Sequence, residues 1–245
     1  ARASGLLLAG GQDGNDPLRA STIGTGELIA AALREGARRV IVGVGGSAST
    51  DGGLGALRAL QSKGRLAGVE LEVAYDVTTR FVDAAATFGP QKGATDAQVA
   101  LLERRLERLA QVYQDDHGVD VRDLEGGGAA GGLAGGLAAV GAALVPGFDL
   151  VADLIGLEDR IEGADLVVTG EGFVDAQSFQ GKVVGGVLEL ASHAGVPALV
   201  VAGELLVPVP APAQAVSLVE RFGRERAMAD TARCVREVVG GFLVT

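Results

Sequence analysis

A loop rich in glycine and hydroxyl side chains carries the strongest chemical signal in this sequence. It follows a β-branched run at residues 40–44 and contains Gly45, Gly46 and Ser47. Glycines let successive backbone N–H groups turn inward, and a helix that follows adds its positive end, so the pattern is typical of a phosphate cradle. Asp51 ends the loop, where a carboxylate can hold Mg²⁺ or accept a proton. The alternative is that Asp51 only caps the helix that follows.

A second loop of the same kind lies within residues 165–182. An apolar strand again enters a glycine-containing polar segment, and a helix again follows. Glu171 and Asp175 then stand near the carboxyl end of a strand, where α/β proteins form their ligand sites. Lys182 lies early in the helix and can supply a point charge to a phosphate. The alternative is a surface lysine beside a carboxylate that caps the helix.

Three single residues are weaker candidates for binding an anionic substrate. Lys92 lies in a Gly/Pro turn at residues 88–94, directly before a predicted helix. Asp76 follows an alternating strand, and Arg19 precedes a helix start together with several hydroxyl side chains. The turn that carries Lys92, taken alone, is also compatible with ordinary loop chemistry.

The first loop also matches a variant of the dinucleotide fingerprint, with Gly43, Gly45 and Ala48 at the required spacing. This match leaves a nicotinamide-dependent oxidoreductase as an alternative function. The hydroxyl side chains and Asp51 that follow are not needed by that fingerprint. The loop is not a Walker A motif either, because no Gly-Lys-Ser/Thr closes it.

Short β-branched runs alternate with helical patterns along the chain, which predicts an α/β fold. Continuous apolar runs indicate buried parallel strands at residues 40–44, 166–168 and 198–201. Residues 70–75 alternate instead, so we expect a strand that has one wet face or lies at a sheet edge. Helices are predicted at residues 26–36, 95–117, 149–161, 178–193 and 224–239, the second opened by a capping box. A glycine-rich stretch at 126–141 is interpreted as a loop that leads into a closely packed helix.

Composition excludes several classes of protein. The 245 residues carry a formal net charge of −10, which argues against nucleic acid or an anionic membrane as the main partner. A single cysteine excludes an internal disulfide, and two distant histidines make a zinc site improbable. We therefore expect a cytoplasmic protein with small-molecule ligands.

Taken together and in order, these motifs resemble the bacterial glycerate kinases of the first type. The resemblance rests on PLRA at 17–20, GTGE at 24–27, GGSA at 45–48, DGG at 51–53, FGPQKGA at 88–94, GAAGGL at 128–133, TGEG at 169–172, and on Asp175, Gln177, Gly181 and Lys182. It implies phosphorylation of D-glycerate by ATP with Mg²⁺, usually to 2-phosphoglycerate. It also implies two α/β domains with the active site in the cleft between them. We expect these at about residues 1–150 and 151–245, the second Rossmann-like with a largely parallel sheet.

On this resemblance, the candidate site residues receive provisional roles. Catalytic roles are expected for Asp51, Glu171 and Asp175, with Asp51 and Glu171 as Mg²⁺ ligands. Phosphate or nucleotide binding is expected from Gly45, Gly46, Ser47 and Lys182, and substrate binding from Arg19, Asp76 and Lys92. A homodimer is left open.

The sequence also departs from the family pattern. The opening strand and loop of the family are missing, so we expect the sequence to be part of a longer chain. Phe173 stands where the family usually has an arginine, which removes a phosphate contact. These departures motivate a third alternative, a homologue that binds ligands without catalysis.

Overall fold

The computed structural model describes residues 3–63, 66, 68–179 and 181–243. This part of the chain divides into two compact units between Gly147 and Phe148, called unit 1 and unit 2 below. Parallel strands and helices alternate in both units, which confirms the predicted α/β class.

Unit 1 is built on a parallel sheet in the order β1 (Arg39–Gly43), β2 (Glu70–Tyr75) and β3 (Ala143–Pro146). Val73 of β2 faces Val42 on one side and Leu144 on the other. Of the two expectations for β2, the sheet edge is therefore wrong for the described strands, which leaves the wet face. On its acidic face Glu70 is exposed, whereas Glu72 is buried and accepts from Arg39 at both carboxylate oxygens, at 2.6 and 3.2 Å. These hydrogen bonds hold the pKa of Glu72 below its usual value.

The helices of unit 1 pack around this sheet. They are α1 (Gly11–Gly14), α2 (Ile23–Arg34), α3 (Leu54–Lys63), α4 (Ala84–Phe88), α5 (Asp96–His117) and α6 (Ala129–Ala139), with a 3₁₀ turn at Pro90–Lys92. The capping box predicted for α5 is present: the Thr95 N–H donates to Gln98 Oε1 at 2.9 Å, and Thr95 Oγ1 accepts from the Gln98 N–H. Leu102, Leu106, Leu109 and Tyr113 of α5 are buried in the core of this unit.

The glycine-rich stretch forms a left-handed turn followed by a buried helix. Ala130, Gly131 and Gly132 all have positive φ at the start of α6. Gly131 packs against the loop after β1, since a Cβ added there would overlap the carbonyl oxygen of Ser49. This close approach explains why the stretch carries glycine, as the sequence interpretation expected.

Unit 2 has a parallel sheet in the order β4 (Val167–Thr169), β6 (Ala198–Ala202) and β8 (Gln214–Ser217). A smaller parallel pair joins β5 (Phe173–Val174) to β7 (Glu204–Leu205). The helices are α7 (Gly147–Leu154), α8 (Leu157–Glu162), α9 (Val183–His193), α10 (Leu218–Phe222), α11 (Arg224–Ala229) and α12 (Thr231–Leu243), with a 3₁₀ turn at Ala176–Phe179.

Three predicted helices are each divided in the structure. Gly156, in the left-handed conformation, separates α7 from α8. The predicted helix at 178–193 begins only at Val183, because Asp175 opens a separate 3₁₀ turn first. Asp230 separates α11 from α12. In the described ranges, no helix combines the length and the apolar character that crossing a bilayer requires.

Candidate functional site

Backbone hydrogen bonds in an antiparallel arrangement connect the loop after β1, called the cradle loop below, to residues 4–6. Ser47 bridges to Gly5, the Leu6 N–H donates to the Gly46 carbonyl at 2.8 Å, and the Ala48 N–H donates to the Ser4 carbonyl at 2.9 Å. Gly46 has a φ of +62°, a backbone conformation that favours glycine. The loop is thus positioned by backbone hydrogen bonds, as a preformed cradle requires.

A cavity of 370 Å³ lies beside this loop, and we call it the Lys92 cavity. It brings together five of the residues predicted from the sequence: Gly45, Gly46, Ser47, Asp76 and Lys92. The remaining lining includes Phe88, Gln91 and Ala130. Backbone N–H groups, an acid and an amine around an open cavity of this size suit a small polar ligand.

Lys92 is the buried cation of this cavity, with 3% of its surface exposed. Its Nζ donates to the Ser49 carbonyl at 2.7 Å and lies 5.9 Å from the centre of the Phe88 ring. Burial lowers the pKa of Lys92 to about 8, although the nearby Asp51 charge acts in the opposite direction. A buried amine of this kind favours the binding of an anionic ligand, because the ligand would stabilise the charged form of the amine.

Sequence reasoning missed a residue that joins the two loops. Asn15 Nδ2 donates to the Ala48 carbonyl at 3.1 Å and to the Lys92 carbonyl at 2.8 Å. The amide therefore ties the cradle to the turn that carries Lys92. A lone asparagine in a loop gives no sequence signal for such a role.

Asp51 lies at the end of the loop, but its carboxylate is engaged by protein donors. Its Oδ2 accepts from the Thr22 N–H and hydroxyl, both at 2.9 Å, and from the Gly55 N–H at 3.2 Å. Its Oδ1 accepts from the Gly53 N–H at 3.2 Å. Asp51 also does not line the Lys92 cavity. This geometry supports the helix-capping alternative, since Gly55 lies in the first turn of α3, while the base and metal-ligand roles of Asp51 stay predictions.

Arg19 lies apart from the residues of the Lys92 cavity. Its side chain is exposed, and it is not among the residues that line this cavity. Its expected contact with the substrate stays a prediction.

The candidates of unit 2 lie on the segment between β4 and α9. Asp175 Oδ1 accepts from the N–H groups of Gln177 and Ser178, at 2.8 and 3.1 Å. Lys182 precedes α9, and its Nζ lies 3.5 Å from Gln177 Oε1. Glu171 Oε1 is buried and has no hydrogen-bond partner among the described residues. A buried carboxylate oxygen without a partner is costly, so this atom is suited to a ligand or cation.

The two predicted Mg²⁺ ligands differ in how well they fit a cation. Among the described residues, no three His, Cys, Asp or Glu side chains form a group that could hold a metal. Kinases commonly hold Mg²⁺ with one or two carboxylates and the phosphates of the nucleotide, so such a group is not required. Glu171 fits this requirement through its unpartnered oxygen, whereas the oxygens of Asp51 face N–H and O–H donors.

The geometry of the first loop does not fit the dinucleotide fingerprint. That fingerprint needs its glycines to open a helix directly after the strand. Here β1 ends at Gly43, and the next helix, α3, begins only at Leu54. The structure of this loop therefore does not support the alternative of a nicotinamide-dependent oxidoreductase.

Comparison with known proteins decides the family. The model of the glycerate kinase family matches residues 1–64 and 61–240. The chain belongs to the glycerate kinase family. This confirms the resemblance drawn from the ordered motifs.

Named relatives agree with this placement in the glycerate kinase family. The chain is 39% identical over 237 residues to the glycerate 2-kinase of Escherichia coli K12, covering 84% of this chain and 62% of that protein. It is equally identical, with the same coverage, to the glycerate kinase of Bacillus subtilis 168. The structure matches that of a putative glycerate kinase 2 from Salmonella typhimurium LT2 with a TM-score of 0.74 and 34% identity, over 98% of this chain and 74% of that one. The chain thus spans about 62% of the length of these curated relatives.

Proposed function

We propose that this protein transfers a phosphoryl group from ATP to D-glycerate and forms 2-phosphoglycerate. Membership of the glycerate kinase family supports the reaction class. The relative from Escherichia coli carries the name glycerate 2-kinase, which supports transfer to the C2 hydroxyl. The observation that carries the proposal is the buried Lys92 amine in a cavity shared with the glycine loop.

Unit 1 is proposed to hold the anionic groups. Phosphoryl transfer depends mainly on positioning and on charge stabilisation. Backbone N–H groups of Gly45, Gly46 and Ser47 would donate to oxygens of the transferred phosphate or of the glycerate carboxylate. Lys92 would balance their charge from inside the cavity, and Asp76 would accept from a glycerate hydroxyl.

Unit 2 is proposed to supply the carboxylates that bind Mg²⁺ and take part in catalysis. Glu171 is the residue we assign to Mg²⁺, and the ion, when bound, neutralises charge on the phosphates. Asp175 is proposed as a catalytic carboxylate, because its Oδ2 has no hydrogen-bond partner in the described part of the chain. Lys182 is proposed to contact the nucleotide phosphates. Asp51 is a positioning residue that holds the cradle loop against α3.

The remaining partner assignments follow from this reaction. We propose small-molecule substrates and no nucleic-acid or membrane partner. Because the reaction consumes ATP, we propose a cytoplasmic location. A homodimer remains a prediction that this reaction neither requires nor excludes.

A coupled assay of ADP release tests the proposal against both alternatives. The chain is incubated with ATP, Mg²⁺ and D-glycerate, with L-glycerate and D-lactate as matched controls, and NADH binding is followed by fluorescence. We expect ADP release that depends on D-glycerate and no saturable NADH signal. Calorimetric binding of ATP and D-glycerate without turnover would instead establish the non-catalytic homologue. Saturable NADH binding without turnover would favour the oxidoreductase.

A further inference from the structure

A second cavity, separate from the Lys92 cavity, opens beside helix α5, and we call it the α5 cavity. Its volume is 490 Å³, within the range of about 300–1,000 Å³ that is usual for small-molecule sites. It is lined by α5, by the start of α3 and by the turn at residues 17–20. No residue lines both cavities, so a ligand here would not occupy the proposed substrate site.

The walls of the α5 cavity are mostly hydrocarbon. Apolar side chains from three parts of unit 1 form them: Leu18, Leu54, Leu102, Leu106, Leu109 and Val112. Leu102, Leu106 and Leu109 are already buried. An apolar ligand would therefore remove mainly the partly exposed Leu18, Leu54 and Val112 from water, which is favourable. The body of a suitable ligand is therefore an aliphatic or aromatic chain.

Three arginines of α5 stand at one edge of the α5 cavity. Arg105 Nη1 donates to the Leu18 carbonyl at 3.1 Å, which fixes this arginine against the turn at 17–20. Arg104 and Arg108 are exposed and have neither a hydrogen bond nor an ion pair among the described residues. They are four residues apart on one helix, so their charges repel each other. An anion placed beside them would remove that repulsion.

A buried hydroxyl beside the α5 cavity also lacks a partner. Thr50 lines the cavity and is 2% exposed, and within the described ranges its Oγ1 has no hydrogen-bond partner. Leaving a buried hydroxyl unpaired costs stability, but Thr50 Oγ1 is itself shielded from the cavity, so a ligand is expected to contact the apolar walls and the arginines instead. Asp51 also lines the cavity, but its oxygens are engaged by Thr22, Gly53 and Gly55.

We infer that the α5 cavity binds a small amphipathic carboxylate. The apolar body would lie against the leucine and valine walls, and the carboxylate would accept from Arg104 and Arg108. Guanidinium groups suit carboxylates because both are planar and form paired hydrogen bonds. The inference does not depend on the proposed kinase reaction.

Isothermal titration calorimetry with octanoate tests this inference on the 245-residue chain. We expect one octanoate per chain, while 1-octanol (the apolar body alone) and acetate (the carboxylate alone) bind at least about tenfold more weakly. The double variant Arg104→Gln/Arg108→Gln should bind octanoate at least about tenfold more weakly. The control variant Arg34→Gln/Arg38→Gln removes the same charge from exposed positions outside the cavity and should bind octanoate as the unmodified chain does.

A cavity-filling variant locates the bound octanoate. Ala20 lines the α5 cavity, and Ala20→Phe should abolish octanoate binding. Thermal unfolding establishes whether each variant is folded. If Ala20→Phe does not fold, the variants of the exposed arginines test the inference instead. The inference is overturned if octanoate does not bind, if 1-octanol binds equally well, or if the Arg104/Arg108 variant retains full affinity.

Discussion

The Asp51 carboxylate and Thr22 form a paired contact that links the cradle loop to helix α2. Thr22 donates both its backbone N–H and its hydroxyl to Asp51 Oδ2, each at 2.9 Å, and Thr22 is fully buried. Thr22 Oγ1 in turn accepts from the Ala56 N–H at 3.0 Å, in the first turn of α3. The loop, α2 and α3 are therefore held by one hydrogen-bonded cluster.

We predict that Asp51→Ala lowers the free energy of unfolding by about 2–4 kcal/mol, because it removes a helix cap and leaves buried donors unpaired. Urea denaturation followed by circular dichroism measures this change. Asp116→Ala, at an exposed position late in α5, is the matched control and should change stability by less than about 0.5 kcal/mol. A stable Asp51→Ala protein would show that the cluster does not hold the loop.

The buried Lys92 amine predicts a dependence of stability on pH. Its pKa of about 8 in the folded protein lies below the usual lysine value, so the unfolded chain binds more protons above pH 8. Stability therefore rises as the pH increases from 8. We expect unmodified protein to gain about 1–2 kcal/mol relative to Lys92→Met between about pH 7 and 9.5.

Denaturant titrations of both proteins across this pH range measure that difference. The range ends below about pH 10, where Tyr113 begins to contribute. Burial raises the pKa of Tyr113, so its effect on stability has the opposite sign. Parallel curves for Lys92→Met and unmodified protein would show that Lys92 titrates normally.

The close approach of α6 to the cradle loop predicts that replacing Gly131 strongly lowers the stability of the protein. A methyl group at this position would overlap the Ser49 carbonyl oxygen, which also accepts from Lys92. Gly118 is the matched control, since it has a similar positive φ of +72° but nothing within 4 Å of an added Cβ. We expect Gly131→Ala to lower the unfolding free energy by at least about 2 kcal/mol more than Gly118→Ala. Equal effects in thermal melts would mean that only backbone strain matters.

The unpartnered oxygen of Glu171 predicts a dependence on Mg²⁺. On the proposed function, Glu171→Gln should lower kcat at least about tenfold and raise the Mg²⁺ concentration needed for half-maximal rate. Steady-state kinetics with varied Mg²⁺ measure both changes. Glu225→Gln, at an exposed position, removes the same charge and should leave both values unchanged. An unaltered Mg²⁺ requirement in Glu171→Gln would remove Glu171 as the metal ligand.

Sequence patterns predict local features of this protein well. The α/β class and the capping box at Thr95 and Gln98 were predicted from residue types and spacing, and so were Gly45–Ser47 and Lys92 as separate candidate residues. Each depends on neighbours in sequence or on the rule that ligand sites form at the carboxyl ends of strands. The family resemblance follows from the order of several such motifs.

Contacts between residues that are far apart in the sequence could not be predicted from it. The alternation in residues 70–75 indicated a wet face or a sheet edge. It could not show that β2 lies in the middle of the described sheet, where Arg39 of the neighbouring strand pairs with Glu72. Asp51 is similar: its type and position suit a catalytic base or a helix cap, but its contact with the distant Thr22 could not be predicted from the sequence. Asn15 gives no sequence signal, since its two acceptors lie 33 and 77 residues away.

Phosphorus NMR of the reaction product tests the central claim most directly. The 245-residue chain is incubated with D-glycerate, ATP and Mg²⁺, and the spectrum is compared with those of 2-phosphoglycerate and 3-phosphoglycerate. The account predicts the 2-phosphoglycerate resonance, with an equal amount of ADP formed and no signal without D-glycerate. The resonance of 3-phosphoglycerate would contradict the proposed acceptor hydroxyl. The absence of any phosphoglycerate, from folded protein that is supplied with both substrates, would contradict the proposed function itself.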